Sequence, residues 1–122
     1  MYKEKVSLNI NGLSNVFSNY KGQKIRLESD KSEKGWICLS VGENLTYDIN
    51  LSRRLVRRHA PVVVMRNNLP SASLITREVI LLISQLKDIG VPVISVEFTV
   101  GETGSSYLCS AFPGEYYILF EK

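Results

Sequence analysis

Short segments in which apolar and polar residues alternate recur along this chain, and they constrain its fold more than any other feature. A period of two places successive side chains on opposite faces of a strand, so each alternating segment predicts a β-strand with one buried face. Turn residues separate the segments, which indicates hairpins rather than a helical bundle. With two apolar runs included, the predicted strands cover residues 6–10, 24–28, 35–41, 45–51, 61–66, 91–98, 107–112 and 115–120.

One long segment in the second half has helical spacing instead. Ser71 or Ser73 can cap its start, it runs to about Asp88, and Gly90 suits its end. Its predicted core side chains are Ile75, Val79, Leu82, Ile83 and Leu86. Because the apolar runs 61–66 and 91–98 flank this helix, we expect a βαβ crossover with a parallel pair of strands.

The segment 52–59 follows neither pattern cleanly. On a helical wheel its four arginines share one arc, and Leu51, Leu55, Val56 and His59 share the opposite arc. Pro61 would end such a helix. The prediction is a single α+β domain over residues 1–122. It has a mixed, mostly antiparallel sheet of about eight strands, one long helix in a βαβ crossover and a short basic helix.

Charge is distributed unevenly over the 122 residues. The formal net charge of +3 is too small to argue for nucleic acid. Between Asp48 and Glu78, however, there is no acidic residue, and six arginines lie there: Arg53, Arg54, Arg57, Arg58, Arg66 and Arg77. Local fields of this kind steer oppositely charged partners.

The cluster Arg53, Arg54, Arg57 and Arg58 is the main candidate binding site. Four like charges in six residues are locally unfavourable, and arginine is suited to bidentate contacts with carboxylate or phosphate. The partner would be an acidic protein surface, a nucleic acid or a nucleotide. The alternative is pairing within the chain, with Asp48, Glu43 or Glu28.

A second candidate anion site lies where the long helix begins. It comprises Arg66, Asn67, Asn68, Ser71 and Ser73, which would join a guanidinium, amides and hydroxyls to the free N–H groups of a helix start. Such a site would suit a nucleotide-binding sensor or an enzyme. An ordinary capped turn explains the same residues.

Catalytic and cofactor motifs are scarce. His59 is the only histidine, and we expect it to be partly buried among Leu51, Leu55 and Val56. Cys38 and Cys109 are far apart and are expected to stay reduced. Asp48 and Glu97 lie on strand-like segments, but Thr99 stands two positions after Glu97, where a metal-dependent nuclease would have a lysine. The sequence therefore predicts no catalytic residue, metal or cofactor and favours a non-enzymatic binding or accessory protein, such as phages encode.

Self-association is a further expectation. Ile80 and Leu81 lie outside the core arc of the long helix, and the last strand is apolar on both faces. A homodimer would cover either surface. No apolar run is long enough for a membrane span, and the start of the chain does not resemble a secretory signal, so we expect a cytoplasmic protein.

Overall fold

The computed structural model describes residues 2–29, 33–60, 69–91, 95–101, 106–112 and 115–121. Within them the chain forms one eight-stranded sheet, two α-helices and a 3-10 turn, which confirms the mixed, mostly sheet α+β class. The elements are β1 (Tyr2–Leu8), α1 (Asn11–Val16), the 3-10 turn (Ser18–Tyr20), β2 (Lys24–Ser29), β3 (Trp36–Val41), β4 (Leu45–Asn50), β5 (Leu55–His59), α2 (Ala72–Asp88), β6 (Ser95–Thr99), β7 (Ser106–Phe112) and β8 (Glu115–Glu121).

The strands are ordered β1-β8-β7-β6-β2-β3-β4-β5 across the sheet. β2 to β5 form an antiparallel meander, and β6, β7 and β8 continue the antiparallel pairing on the other side of β2. Among the described strands only β1 and β8 pair in parallel. β8 lies between β1 and β7, so both edges of the C-terminal strand are paired within the chain.

The crossover through α2 is present, but it spans more of the sheet than the sequence predicts. β5 and β6 run in the same direction, with β2, β3 and β4 between them. Both neighbours of β6, which are β2 and β7, are antiparallel to it. The prediction that residues 91–98 pair with a parallel strand is therefore wrong for β6. The other predicted strand, 61–66, lies outside the described residues.

The helix α2 matches its prediction closely. The Ser71 hydroxyl accepts a hydrogen bond from the Leu74 N–H at 3.3 Å, and Gly90 follows the helix with a φ of 73°. Ile75, Val79, Leu82 and Leu86 are buried, whereas Ile83 is half-buried against the core. The predicted core face of the helix is therefore confirmed.

The two faces of the sheet differ in what they carry. The covered face, which packs with α1 and α2, includes Ile25, Leu27, Leu39, Tyr47, Ile49, Val96 and Phe98. The open face carries the alternate side chains Arg26, Trp36, Cys38, Asp48, Arg57 and Glu97. Alternation along β2, β3, β4 and β6 thus separates an apolar core from a polar and charged surface.

Candidate partner-binding edge

The arginine-rich segment forms a turn and a strand, so the predicted basic helix is wrong. Residues 51–54 form the turn that joins β4 to β5. The side chain of Asn50 organises this turn, because its Oδ1 accepts hydrogen bonds from the Ser52 hydroxyl and the Arg53 N–H, both at 3.0 Å. Pairing with β4 satisfies one side of the β5 backbone, and this tertiary contact overrides the helical pattern.

Strand geometry divides arginines that a helix would have kept on one arc. Arg57 lies opposite Asp48 and shares the open face with it, whereas Arg58 lies opposite Tyr47 on the covered face. Arg53 and Arg54 belong to the turn. The cluster therefore surrounds the end of the sheet instead of forming one flat basic surface.

Arg57 has acidic and aromatic neighbours on the open face. Its Nη2 lies 2.8 Å from Glu33 Oε2, and its Nε lies 3.9 Å from Asp48 Oδ2. Its guanidinium also stacks over the Trp36 ring, 4.0 Å from the ring centroid. The pairing with Asp48 was one of the intramolecular alternatives, whereas Glu33 and Trp36 were not predicted as partners. A hairpin reading of residues 45–59 would have aligned Asp48 with Arg57.

Arg58 lies on the covered face of β5, beside a buried tyrosine. Burial raises the pKa of Tyr47, and the positive charge and hydrogen bond of Arg58 at its hydroxyl lower it in part. The same hydroxyl lies 3.5 Å from the carbonyl oxygen of Pro70, to which it donates. This contact connects β4 to the residues that precede α2.

Arg53 and Arg54 are exposed, and no carboxylate of the described residues lies within 4 Å of either side chain or of Arg58. Arg54 has a φ of 53° and is the one non-glycine residue in the described part of the chain with positive φ. An arginine there costs of order 1 kcal/mol relative to glycine. We call Arg53, Arg54 and Arg58 the arginine edge.

The two candidate sites meet at a cavity of about 260 Å³ between β5 and the start of α2. Its lining residues are Arg54, Leu55, Val56, Ala72, Ser73 and Thr76. Ser71 is used as the helix cap, and Thr76 donates to the Ala72 carbonyl oxygen at 2.8 Å. Arg66, Asn67 and Asn68 lie outside the described residues.

The prediction that His59 is partly buried is wrong. Its side chain is 66% exposed, because it lies on the open face of an edge strand, and its Nε2 is 3.3 Å from Asp48 Oδ2. Neither Cys38 nor Cys109 forms a disulfide, and burial raises the pKa of Cys109 to about 11. Among the described side chains no group of three His, Cys, Asp or Glu is placed to hold a metal ion.

The surface predicted for self-association is only partly exposed. Leu81 is 52% exposed and lines a second cavity, of about 330 Å³, between α1 and α2. Ile80 is half-buried. The C-terminal strand is paired on both edges inside the sheet, so the predicted homodimer now depends on the helix surface alone.

No protein-family model, curated protein or solved structure matches this chain. In the part of the chain that the structure describes, no helix has the length and apolar character needed to cross a membrane.

Proposed function

We propose that this protein is a small, non-enzymatic binding module that recognises an acidic or phosphorylated partner through Arg53, Arg54 and Arg58. The observation that carries the proposal is the contrast within the cluster. Arg57 has two carboxylates within 4 Å, whereas none of the described carboxylates is that close to the three residues of the arginine edge. An anionic partner would supply the charge-assisted hydrogen bonds that no described carboxylate provides to these three guanidinium groups.

The backbone of Arg54 supports this proposal independently. Glycine or asparagine is the usual choice for a turn residue with positive φ, since a larger side chain is strained there. A residue held in such a conformation is a reason to look for a function of its side chain. We propose that this function is to place the positive charge of Arg54 beside the cavity, where an anionic partner can contact it.

The proposal places the protein in the cytoplasm, where reducing conditions keep Cys38 and Cys109 as thiols.

The key variant is Arg54→Gly, because it removes one positive charge and also removes the backbone strain of a non-glycine residue with positive φ. We expect this variant to be as stable as the wild type or up to about 1 kcal/mol more stable. We expect it to bind labelled polyglutamate several-fold more weakly, with a smaller dependence of affinity on salt. Lys87→Gln, at the far end of α2, removes the same charge and serves as the matched control.

Fluorescence anisotropy over a salt series measures the affinity for polyglutamate and its dependence on salt. Unchanged binding by Arg54→Gly, or equal weakening by Lys87→Gln, would contradict the proposed site. A duplex oligonucleotide tested in parallel distinguishes a nucleic-acid partner from an acidic protein.

A second candidate function is a nucleotide sensor or enzyme with an anion site at the start of α2. The cavity favours it, because the cavity brings Arg54 beside Ser73 in the first turn of the helix. Thermal shift with a panel of nucleotides and with inorganic phosphate tests this function. A single small nucleotide that stabilises the wild type but not Ser73→Ala would favour the sensor over the surface-binding module.

A further inference from the structure

We propose that the partner is a protein whose acidic segment adds to β5 as an extra strand, with an acid-x-apolar-x-acid sequence. This inference rests on the proposed function and specifies its partner class. Strand addition uses main-chain hydrogen bonds for affinity and alternate side chains for specificity. Each element of the proposed sequence corresponds to a feature of β5.

The position of β5 makes strand addition possible. β5 is the terminal strand of the described sheet, paired with β4 on one side only. Four of its five side chains are exposed, and Leu55 is 51% exposed. Alternate N–H and C=O groups on the side away from β4 are therefore placed to pair with an incoming strand.

The spacing of side chains on the covered side defines the proposed sequence. Arg58 and Val56 are two residues apart on the covered face, and Arg54 precedes Val56 by two residues in the adjoining turn. An added strand with an acid opposite Arg58 would place an apolar side chain opposite Val56, and its second acid would lie just past the start of β5, where Arg54 lines the cavity. The 260 Å³ cavity beside Val56 offers room for that side chain against Ala72 and Thr76.

The charges of the open face favour a peptide over a nucleic acid. Glu28, Glu33, Asp48 and Glu97 carry carboxylates on or beside this face. Lys24, Arg26 and Arg57 pair with these carboxylates, so the described open face has no surplus positive charge to hold a phosphate backbone, whereas an added strand contacts only the edge. Arg58 lies on the covered face, away from these carboxylates, where an added strand would meet it.

Charged residues on an edge strand have a competing explanation, because they also prevent edge-to-edge aggregation. Charged residues with only this protective role would keep other strands from pairing with β5 but would not bind an acidic strand. Direct measurement of peptide binding distinguishes the two roles.

The test uses the full chain and a fluorescent peptide of the order Thr-Glu-Thr-Val-Thr-Glu-Thr. Two further versions carry N-methyl groups on one or the other set of alternating amides. They keep every side chain and charge, but each blocks hydrogen bonding along one side of the peptide strand. We expect one version to bind about tenfold more weakly and the other to bind like the parent, since only one set of amides faces β5.

Protein variants locate the binding site. Arg58→Gln and Arg54→Gly should each weaken peptide binding several-fold, whereas Arg26→Gln, a matched charge removal on the open face, should have no effect. Hydrogen exchange should show new protection of β5 amides when the parent peptide binds.

The outcomes separate this inference from the proposed function. Equal binding of both N-methylated versions, or preference for the oligonucleotide, would overturn strand addition and leave an anion-binding arginine edge. Failure of every anionic probe to bind, together with aggregation of the Arg54→Gly variant, would overturn both and assign the arginines to edge protection.

Discussion

The covered and open faces of the sheet are built from the same strands, yet they differ in what their side chains do. On β3, Ile37, Leu39 and Val41 are buried, whereas Trp36, Cys38 and Ser40 are half-buried. Side chains of the covered face pack with those of the helices in one core. The open face instead carries ion pairs between partly exposed groups. The covered face therefore provides most of the stabilising burial, which leaves the open face and the β5 edge available for charged side chains.

The largest effect should come from truncating neighbouring residues on opposite faces of β3. Leu39→Ala removes a fully buried side chain and is expected to cost about 2–5 kcal/mol of unfolding free energy. Cys38→Ala, one residue away on the open face, should cost less than about 1 kcal/mol. Urea denaturation measures both, and equal costs would show that the open face is also part of the core.

A second large difference is expected between the two cysteines, since each face carries one. Burial raises the pKa of Cys109 to about 11, so its thiol stays protonated at pH 8 and should resist iodoacetamide. Cys38 is half-buried on the open face and should react first. Mass spectrometry of the modified chain over time gives the order, and early modification of Cys109 would contradict the packing of β7.

The raised pKa of Cys109 also predicts how stability depends on pH. Its contribution is fully present below the thiol pKa of the unfolded chain, about 8.5. It is lost as the pH rises toward the folded value of about 11, because the unfolded chain releases its proton first. The urea midpoint should therefore fall between pH 8 and pH 10.5 more in the wild type than in Cys109→Ala. Equal losses would assign alkaline destabilisation to the tyrosines.

A smaller effect should reveal how closely the helices of the covering layer approach each other. Gly12 in α1 packs against the Glu78 carboxylate of α2, and a Cβ at this position would overlap that carboxylate. The end of the Glu78 side chain must move aside for Gly12→Ala, which should cancel much of the gain of about 1 kcal/mol that alanine brings as the better helix former. In a Glu78→Ala background the same substitution should be more stabilising. Additive effects in this double-mutant cycle would contradict the contact.

The smallest effect is expected on the open face. Glu97 lies 3.5 Å from Arg26 and 3.9 Å from Lys24, and all three side chains are partly exposed. Glu97→Gln should cost less than about 1 kcal/mol, and the cost should shrink in high salt. Glu43→Gln, an equal charge change in the β3–β4 turn, is the control. A loss above 2 kcal/mol that persists in salt would make these ion pairs part of the structural core.

The alternation of apolar and polar residues was sufficient to predict most of the strands and the extent of α2. Seven of the described strands overlap predicted ones, and the cap at Ser71 and the end at Gly90 lie where the local residues indicate. The segment 52–59 was mispredicted because an edge strand buries little and so shows no clear alternation. Its helical wheel pattern carried no information about the hairpin with β4.

Local sequence pattern was enough to predict the α+β class, most of the strands, the extent of α2 and a concentrated basic segment. These properties depend on local periodicity and composition, which act over a few residues. Three features depend on long-range contacts: the pairing of β1 with β8, the division of the arginines around β5, and the cavity that Arg54 and Ser73 both line. Such contacts join residues far apart in the chain, and they form because burying the covered face selects one strand order that local propensity does not encode.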